Sequence, residues 1–302
     1  MANNEPGPRS GDARGGESSR HPMAGVDSFS PGEIARLVQT RGVTKAGATG
    51  PTTLVLGVVA GAFIALGAVF STVVSTRSSL GDGPTRLLAG AAFSLGLILV
   101  VVAGAELFTG NNLIVMSWVS RKITLSRLLR NWAIVYVGNA IGAVSVVMLV
   151  YLSDWWVVAD HSMGATALSI AASKAGLSFG VAFVRGILAN ALVCLAVWLA
   201  TAGRSLTDKV LAIMFPISAF VAAGFEHSIA NMYFIPMGLL LSNQAAVVKV
   251  ANLPSDRLAS LDGAGLLTNI TAATLGNIVG GGVLVGLVYW FVYLRPGSSK
   301  TS

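Results

Sequence analysis

Gly104-Ala105-Glu106-Leu107-Phe108-Thr109-Gly110-Asn111-Asn112 and Gly224-Phe225-Glu226-His227-Ser228-Ile229-Ala230-Asn231 each set an acid, glycine and amides inside a long apolar run. Polar and ionised groups at membrane depth are costly unless they face protein or a hydrated cavity. Non-helical backbone survives there only where it is buried or lines such a cavity. Each stretch therefore reads as a break in a membrane-spanning helix. A chain with one break in each half is read as a duplication, with its site where the copies meet.

Working outward, the 302 residues are 54% hydrophobic and 11% charged, with a mean hydropathy of +0.73, too apolar for a soluble domain of this length. The fold class expected is an all-α membrane protein of six spans. They are placed at residues 52–75, 87–118 and 131–152, then at 178–200, 210–241 and 266–294, with 87–118 and 210–241 broken. Pro236 is expected to limit the helix that resumes after the second break.

Residues 1–28, rich in Gly, Ser, Pro and charge, are expected to be a disordered tail without a signal-peptide core. Residues 29–50 form an N-terminal segment in which Ser30, Pro31 and Glu33 open a short amphipathic helix over 31–39. A helix on the membrane surface and a solvated lead-in fit equally well. The first transmembrane repeat then covers 51–152, an extracytoplasmic linker 153–177, the second repeat 178–295, and a tail 296–302.

The net charge of +7 does not point to nucleic acid, because the bases lie in the termini and between spans. Arg121, Lys122, Arg127 and Arg130 occupy an acid-free loop over 120–130, which the positive-inside rule places in the cytoplasm. Arg204 and Lys209 in the loop 201–209, and Arg295 and Lys300 in the tail, fall on the same side, so both termini are read as cytoplasmic. The lone Cys194, within a span, is a packing residue.

Three matches in the same order support the duplication. Val59, Gly61 and Ala65 align with Val184, Gly186 and Asn190; Gly104, Glu106 and Asn111 with Gly224, Glu226 and Asn231; and Gly138-Asn139 and Gly142 with Gly276-Asn277 and Gly280. With three spans per copy, the copies insert in opposite orientations as an inverted three-plus-three repeat.

His227 is the one histidine expected within the spans, since His21 and His161 lie outside them. Beside a helix break a functional role outweighs a merely structural one, and its proton equilibrium suits it to respond to an anion. Glu106, Glu226 and Asn231 support the breaks, the two acids being expected to satisfy backbone N–H groups. Asn190 and Asn277 offer uncharged donors, either to a pore or between helices. Lys174 is either a snorkelling lysine or an electrostatic collector. No metal-ligand set or activated nucleophile is apparent; no cofactor and no enzymatic activity are expected.

The runs Ala105-Glu106-Leu107-Phe108-Thr109, Gly186-Ile187-Leu188-Ala189-Asn190, Val193-Cys194-Leu195-Ala196-Val197-Trp198, Gly224-Phe225-Glu226-His227-Ser228-Ile229-Ala230-Asn231-Met232, Gly276-Asn277-Ile278 and Tyr289-Trp290 closely resemble the formate/nitrite transporter family, and within it the formate channel branch. The resemblance covers about residues 30–295. It implies an aquaporin-like protomer in a membrane-embedded homopentamer, multi-pass in the bacterial inner membrane, with one pore per protomer. It implies that Thr109 and His227 face each other between apolar constrictions at Phe93, Leu97, Phe108 and Phe220. It also implies a mobile segment near 105–112, gating by the N-terminal segment, and a collecting role for Lys174, sixteen residues before Asn190 as in the family. Gly110-Asn111-Asn112 departs from the small hydroxyl residues usual there, which bears on gating.

The expected activity is passage of formate, a small weak-acid anion, with proton transfer from His227 as a possible step. Nitrite or hydrosulfide is the alternative substrate within the same architecture, and a neutral-solute channel the alternative of another class.

Overall fold

A computed structural model describes residues 28–295 together with Met1. The expectation of a disordered tail over 1–28 therefore falls, except at Met1 and Ser28, outside the described residues, as do the tail 296–302 and His21.

The described chain is helical. A helix α1 (Pro31–Gly47) precedes the spans α2 (Gly50–Ser75) and α3 (Asp82–Ala103). The break follows, then α4 (Phe108–Asn111), a single 3-10 turn (Asn112–Ile114), α5 (Val115–Val119) and the span α6 (Leu125–Leu152). A second set comprises α7 (Ser162–Ala175), the spans α8 (Phe179–Ala202) and α9 (Leu206–Ala223), the second break, and α10 (Ser228–Leu241). The short helices α11 (Ala245–Ala251) and α12 (Ser255–Ala259) lead to α13 (Gly263–Asn277), a π-helical stretch (Ile278–Leu287) and α14 (Val288–Tyr293), which run on as one span. Among the described residues six helices are long and apolar enough to cross a membrane.

Local chemistry explains the boundaries. Thr49 and Thr124 cap α2 and α6 by accepting from Thr52 N and Arg127 N. Ser205 and Asp208 form a reciprocal capping box on α9. Gly104 and Gly224 end α3 and α9 with φ of 83° and 73°, a conformation open to glycine at little cost. Large side chains such as Leu149, Phe215 and Leu267 remain exposed around the outside, the pattern of a lipid-facing surface.

Glycines set how closely the spans pack. A Cβ on Gly138 would lie 2.8 Å from Leu54 O, and one on Gly276 2.2 Å from Phe183 O, so α6 meets α2, and α13 meets α8, backbone to backbone. Gly142 against Val58 and Gly280 against Ile187 repeat the same contact one turn on. These parallel contacts fix the duplication: Gly57 on α2 corresponds to Gly186 on α8. The expected pairing of Gly61 with Gly186 is thus one helical turn out of register, and Gly61 instead occupies the place of Asn190. The pairings of Glu106 with Glu226 and of Asn139 with Asn277 hold.

Four further expectations are revised. The span expected at 131–152 begins at Leu125, so Arg127 and Arg130 stand on helix rather than in a loop, and Arg130 donates to Ala48 O at 3.2 Å. Pro236 lies within α10, which continues to Leu241. The linker 153–177 contains α7, whose Leu168 and Ala171 are fully buried. The helix expected over 31–39 extends to Gly47, and its buried face, Ile34, Ala35, Val38, Gly42 and Ala46, packs on the protein itself.

In the repeat's register, α1 is the counterpart of α7. Each copy is therefore a surface helix followed by three spans.

Candidate functional site

Each break is held by one asparagine from the facing span. Asn139 Oδ1 accepts from Phe108 N at 2.9 Å, while its Nδ2 donates to Gly57 O at 2.8 Å and Glu106 O at 2.9 Å. Asn277 does the same in the other copy, accepting from Ser228 N at 2.9 Å and donating to Gly186 O at 2.8 Å and Glu226 O at 3.0 Å. Phe108 N, Ser228 N, Glu106 O and Glu226 O are backbone groups that the breaks leave without helical partners, while Gly57 O and Gly186 O belong to α2 and α8 and tie those helices to the breaks. Sequence reasoning missed this role for Asn139, although its place in the repeated Gly-Asn pair was the available signal.

The two acids consequently do a different job from the one expected. Glu106 accepts no backbone N–H among the described residues; it pairs with Lys45 at 3.1 Å and takes Asn111 Nδ2 at 2.6 Å. Glu226 pairs with Lys174 at 2.9 Å and takes Asn231 Nδ2 at 2.6 Å and Asn269 Nδ2 at 3.0 Å. Asn131 and Asn269 complete the clusters, accepting from Asn111 and Asn231 and donating to the carbonyls of Lys45 and Lys174. A buried carboxylate is better matched by a cation and charge-assisted bonds than by a lone amide. Lys45, on α1, was not singled out in the sequence because its segment lies before the first span.

His227 and Thr109 meet where the breaks converge. His227 Nδ1 accepts from Ala230 N at 3.1 Å and so caps α10. In the neutral ring this assigns the proton to Nε2, which stands 3.0 Å from Thr109 Oγ1 and donates to it. The Thr109 hydroxyl proton is left to be offered elsewhere. Both side chains are buried.

Asn190 lies beside this pair, but its donors go to Thr109 O, Asn112 Oδ1 and Asn277 O at 3.2, 2.9 and 2.7 Å. Asn190 and Asn277 thus tie the two breaks together, and neither has an N–H free for an anion. A Cβ on Gly281 would meet Asn190 Nδ2 at 2.3 Å, so glycine there keeps room for that amide.

Two cavities approach the His227–Thr109 pair. One, of about 660 Å³, is lined by Phe93, Lys174, Phe220, Glu226 and His227. The other, of about 270 Å³, is lined by Lys45, Leu97, Glu106 and Leu107. Phe93 and Phe220 pack edge to face at 5.7 Å, and Phe220 stacks on His227 at 5.9 Å. Leu97 and Leu107 supply the apolar wall of the other cavity; Leu107 stands where His227 stands in the second copy. Phe108 lines neither cavity, and its ring packs on Tyr136 and Trp132 at 5.0 and 6.0 Å.

Residues 32–291 match the sequence model of the formate/nitrite transporter family. The chain belongs to that family. Among its relatives are the formate channel FocA of Escherichia coli K12, 42% identical over 274 residues covering 89% of this chain and 96% of the relative, and that of Haemophilus influenzae, 39% identical over 235 residues covering 76% and 83%. A solved pentameric formate channel with formate bound superposes with a TM-score of 0.75 at 40% identity, covering 82% of this chain and 98% of that one. As a formate/nitrite transporter, the chain is a multi-pass integral membrane protein, and its relatives are named as channels and transporters. Its paired breaks place Thr109 and His227 together, with His227 in the wall of the larger cavity.

Proposed function

We propose that the chain passes formate through a pore in each protomer of a homopentamer, without enzymatic chemistry, in the bacterial cytoplasmic membrane. The observation that carries this reading is the buried His227–Thr109 pair between two apolar walls, each backed by a lysine–glutamate pair. The basic residues near α1 orient the α1 mouth and both termini to the cytoplasm. Lys174 and Lys45 draw anions into the two vestibules, while each paired acid keeps its site near electrical neutrality.

The anion leaves water at Phe93 and Phe220 or at Leu97 and Leu107, where desolvating a bare charge is costly. The Thr109 hydroxyl then offers it a hydrogen bond, with its oxygen polarised by His227 Nε2–H. Proton transfer from His227 has a geometric condition. A neutral ring that gave up its Nε2 proton while accepting at Nδ1 would become an imidazolate, so Nδ1 must first take a proton and release the Ala230 N–H. His227 therefore acts first as a fixed donor; once Nδ1 has taken a proton from water, Nε2 can pass its own to the formate anion, leaving the neutral Nδ1–H ring and a loosened α10 cap.

Labelled formate uptake into proteoliposomes tests this, with nitrite, hydrosulfide, chloride and glycerol compared for wild type and His227→Ala at acidic and neutral pH. Formate flux displaced by weak-acid anions and changed in its pH response by the substitution is expected. Nitrite flux without formate flux moves the substrate to nitrite. Glycerol flux unaffected by the substitution overturns the anion reading.

A further inference from the structure

The larger vestibule contains cations that the pore just described does not use. Arg77, Arg86, Lys174 and Arg185 all line it. Two are engaged: Arg77 pairs with Asp160 and bonds Ser162 Oγ, and Lys174 pairs with Glu226. Arg86 and Arg185 have neither ion-pair nor hydrogen-bond side-chain partners among the described residues.

Both residues line the cavity together with Gly224, Phe225 and Glu226. Arg86 Nη2 lies 2.8 Å from the space that a Cβ on Gly224 would fill. Arg185 O accepts from Glu226 N at 3.3 Å, so its residue adjoins the break one step from His227. Arg185 is half-buried, whereas Arg86 is exposed at the cavity's edge. A guanidinium removed from part of its water, with no carboxylate of its own, is a receptor for an anion.

The other mouth has no such pair. In the repeat's register Leu56 replaces Arg185, its carbonyl accepting Glu106 N at 3.2 Å in the same way, and Leu206 replaces Arg86. Of the three bases lining the smaller vestibule, Arg41 is bonded to Thr201 and Lys45 to Glu106, leaving Lys209. A single ammonium is a point charge without the fork that matches a carboxylate in two places.

We propose that Arg86 and Arg185 form a carboxylate-binding site at the α7 mouth, holding an arriving anion beside the 224–226 break before it enters the pore. As a site for the transported anion it rests on the reading of the chain as a formate pore. It makes the channel asymmetric: from the α7 side, half-saturation occurs at lower concentration than from the α1 side.

The test replaces each arginine by the residue of the other copy, in R86L/R185L, and by lysine, in R86K/R185K. Protein is inserted in one orientation, verified by protease access to the N-terminal segment, and formate flux is measured from each side. R86L/R185L is expected to raise the half-saturating concentration about tenfold from the α7 side and leave the α1 side unaffected. Calorimetry with oxalate on purified protein provides a readout independent of transport, and oxalate binding should be lost in the leucine variant. That result with no formate flux in wild type would support the site while removing the formate reading. Unchanged oxalate affinity in the leucine variant, or full affinity in the lysine variant, would overturn the proposal.

Discussion

Lys45–Glu106 and Lys174–Glu226 are the same device in the two copies, and they differ in how firmly the lysine is held. Lys45 reaches both Glu106 and Asn111 Oδ1, the latter at 2.8 Å, while its side chain stays 33% exposed. Lys174 pairs with Glu226 and lies over the Phe234 ring at 5.5 Å, is 17% exposed, and leaves Asn231 Oδ1 without a donor; its acid is 2% exposed against 12% for Glu106. The duplication has kept the asparagine bonds that hold each break and the lysine–glutamate pair behind it, while the residues at the centre have changed. His227 answers to Leu107, Thr109 to Ile229, Asn190 to Gly61 and Arg185 to Leu56, whereas Asn139, Asn131 and Asn111 answer to amides in the second copy.

The largest test of that contrast is removal of the acids. Glu226→Ala strands Lys174 in a drier place and is expected to cost about 3–5 kcal/mol, whereas Glu106→Ala leaves Lys45 able to hydrate and should cost less, about 1.5–3 kcal/mol. Thermal unfolding in detergent reads the difference, and equal losses would break the comparison. Asn139→Ala and Asn277→Ala should by contrast match each other, at about 2–3 kcal/mol each, because each removes the same three bonds to buried backbone. A marked inequality would show that one break has other support.

Exchanges between copies sharpen the solute-facing side. His227→Leu and Thr109→Ile install the residues of the other repeat, and each should lower formate flux by about tenfold or more, the scale of one lost charge-assisted bond. A variant with wild-type flux would remove that side chain from the conduction path. The smallest effect concerns α1 and α7. The Ser30 hydroxyl, and then its N–H, hold the Glu33 carboxyl below its ordinary value. This cap is present above the unfolded carboxylate range and is lost as pH falls through the lower folded value. Hydrogen exchange in the first turn of α1 should therefore quicken only in acid, while α7, with no side-chain cap at His161, shows no such step.

Much of this was legible because polar residues stand out against apolar spans. Glu106, Glu226, His227 and the Gly-Asn pairs announced the breaks and the repeat. Lys45 and α7 were hidden by the reverse effect: mixed composition outside a span resembles a connecting loop, and only the fold brings Lys45 to Glu106. The register slipped because Gly57 and Gly61, one turn apart, are equally small. Asn190 and Asn277 looked like donors to a solute since sequence shows how many N–H groups a side chain has, not which carbonyls already hold them. The fold class needed only the alternation of lipid-soluble runs, while the site needed hydrogen-bond partners drawn from opposite ends of the chain.

Because α1 belongs to the first copy, the natural place to trim this protein is before Pro31, not at the first span. A shortened version starting at Gly50 would look harmless on a hydropathy plot, yet it would delete Lys45 and leave Glu106 as an unneutralised negative charge in the wall of the smaller cavity, which the proposed pore uses as its α1 mouth. Such a truncation would work as a charge filter set against its own cargo, and an inactive shortened protein would then say nothing about whether the missing segment moves.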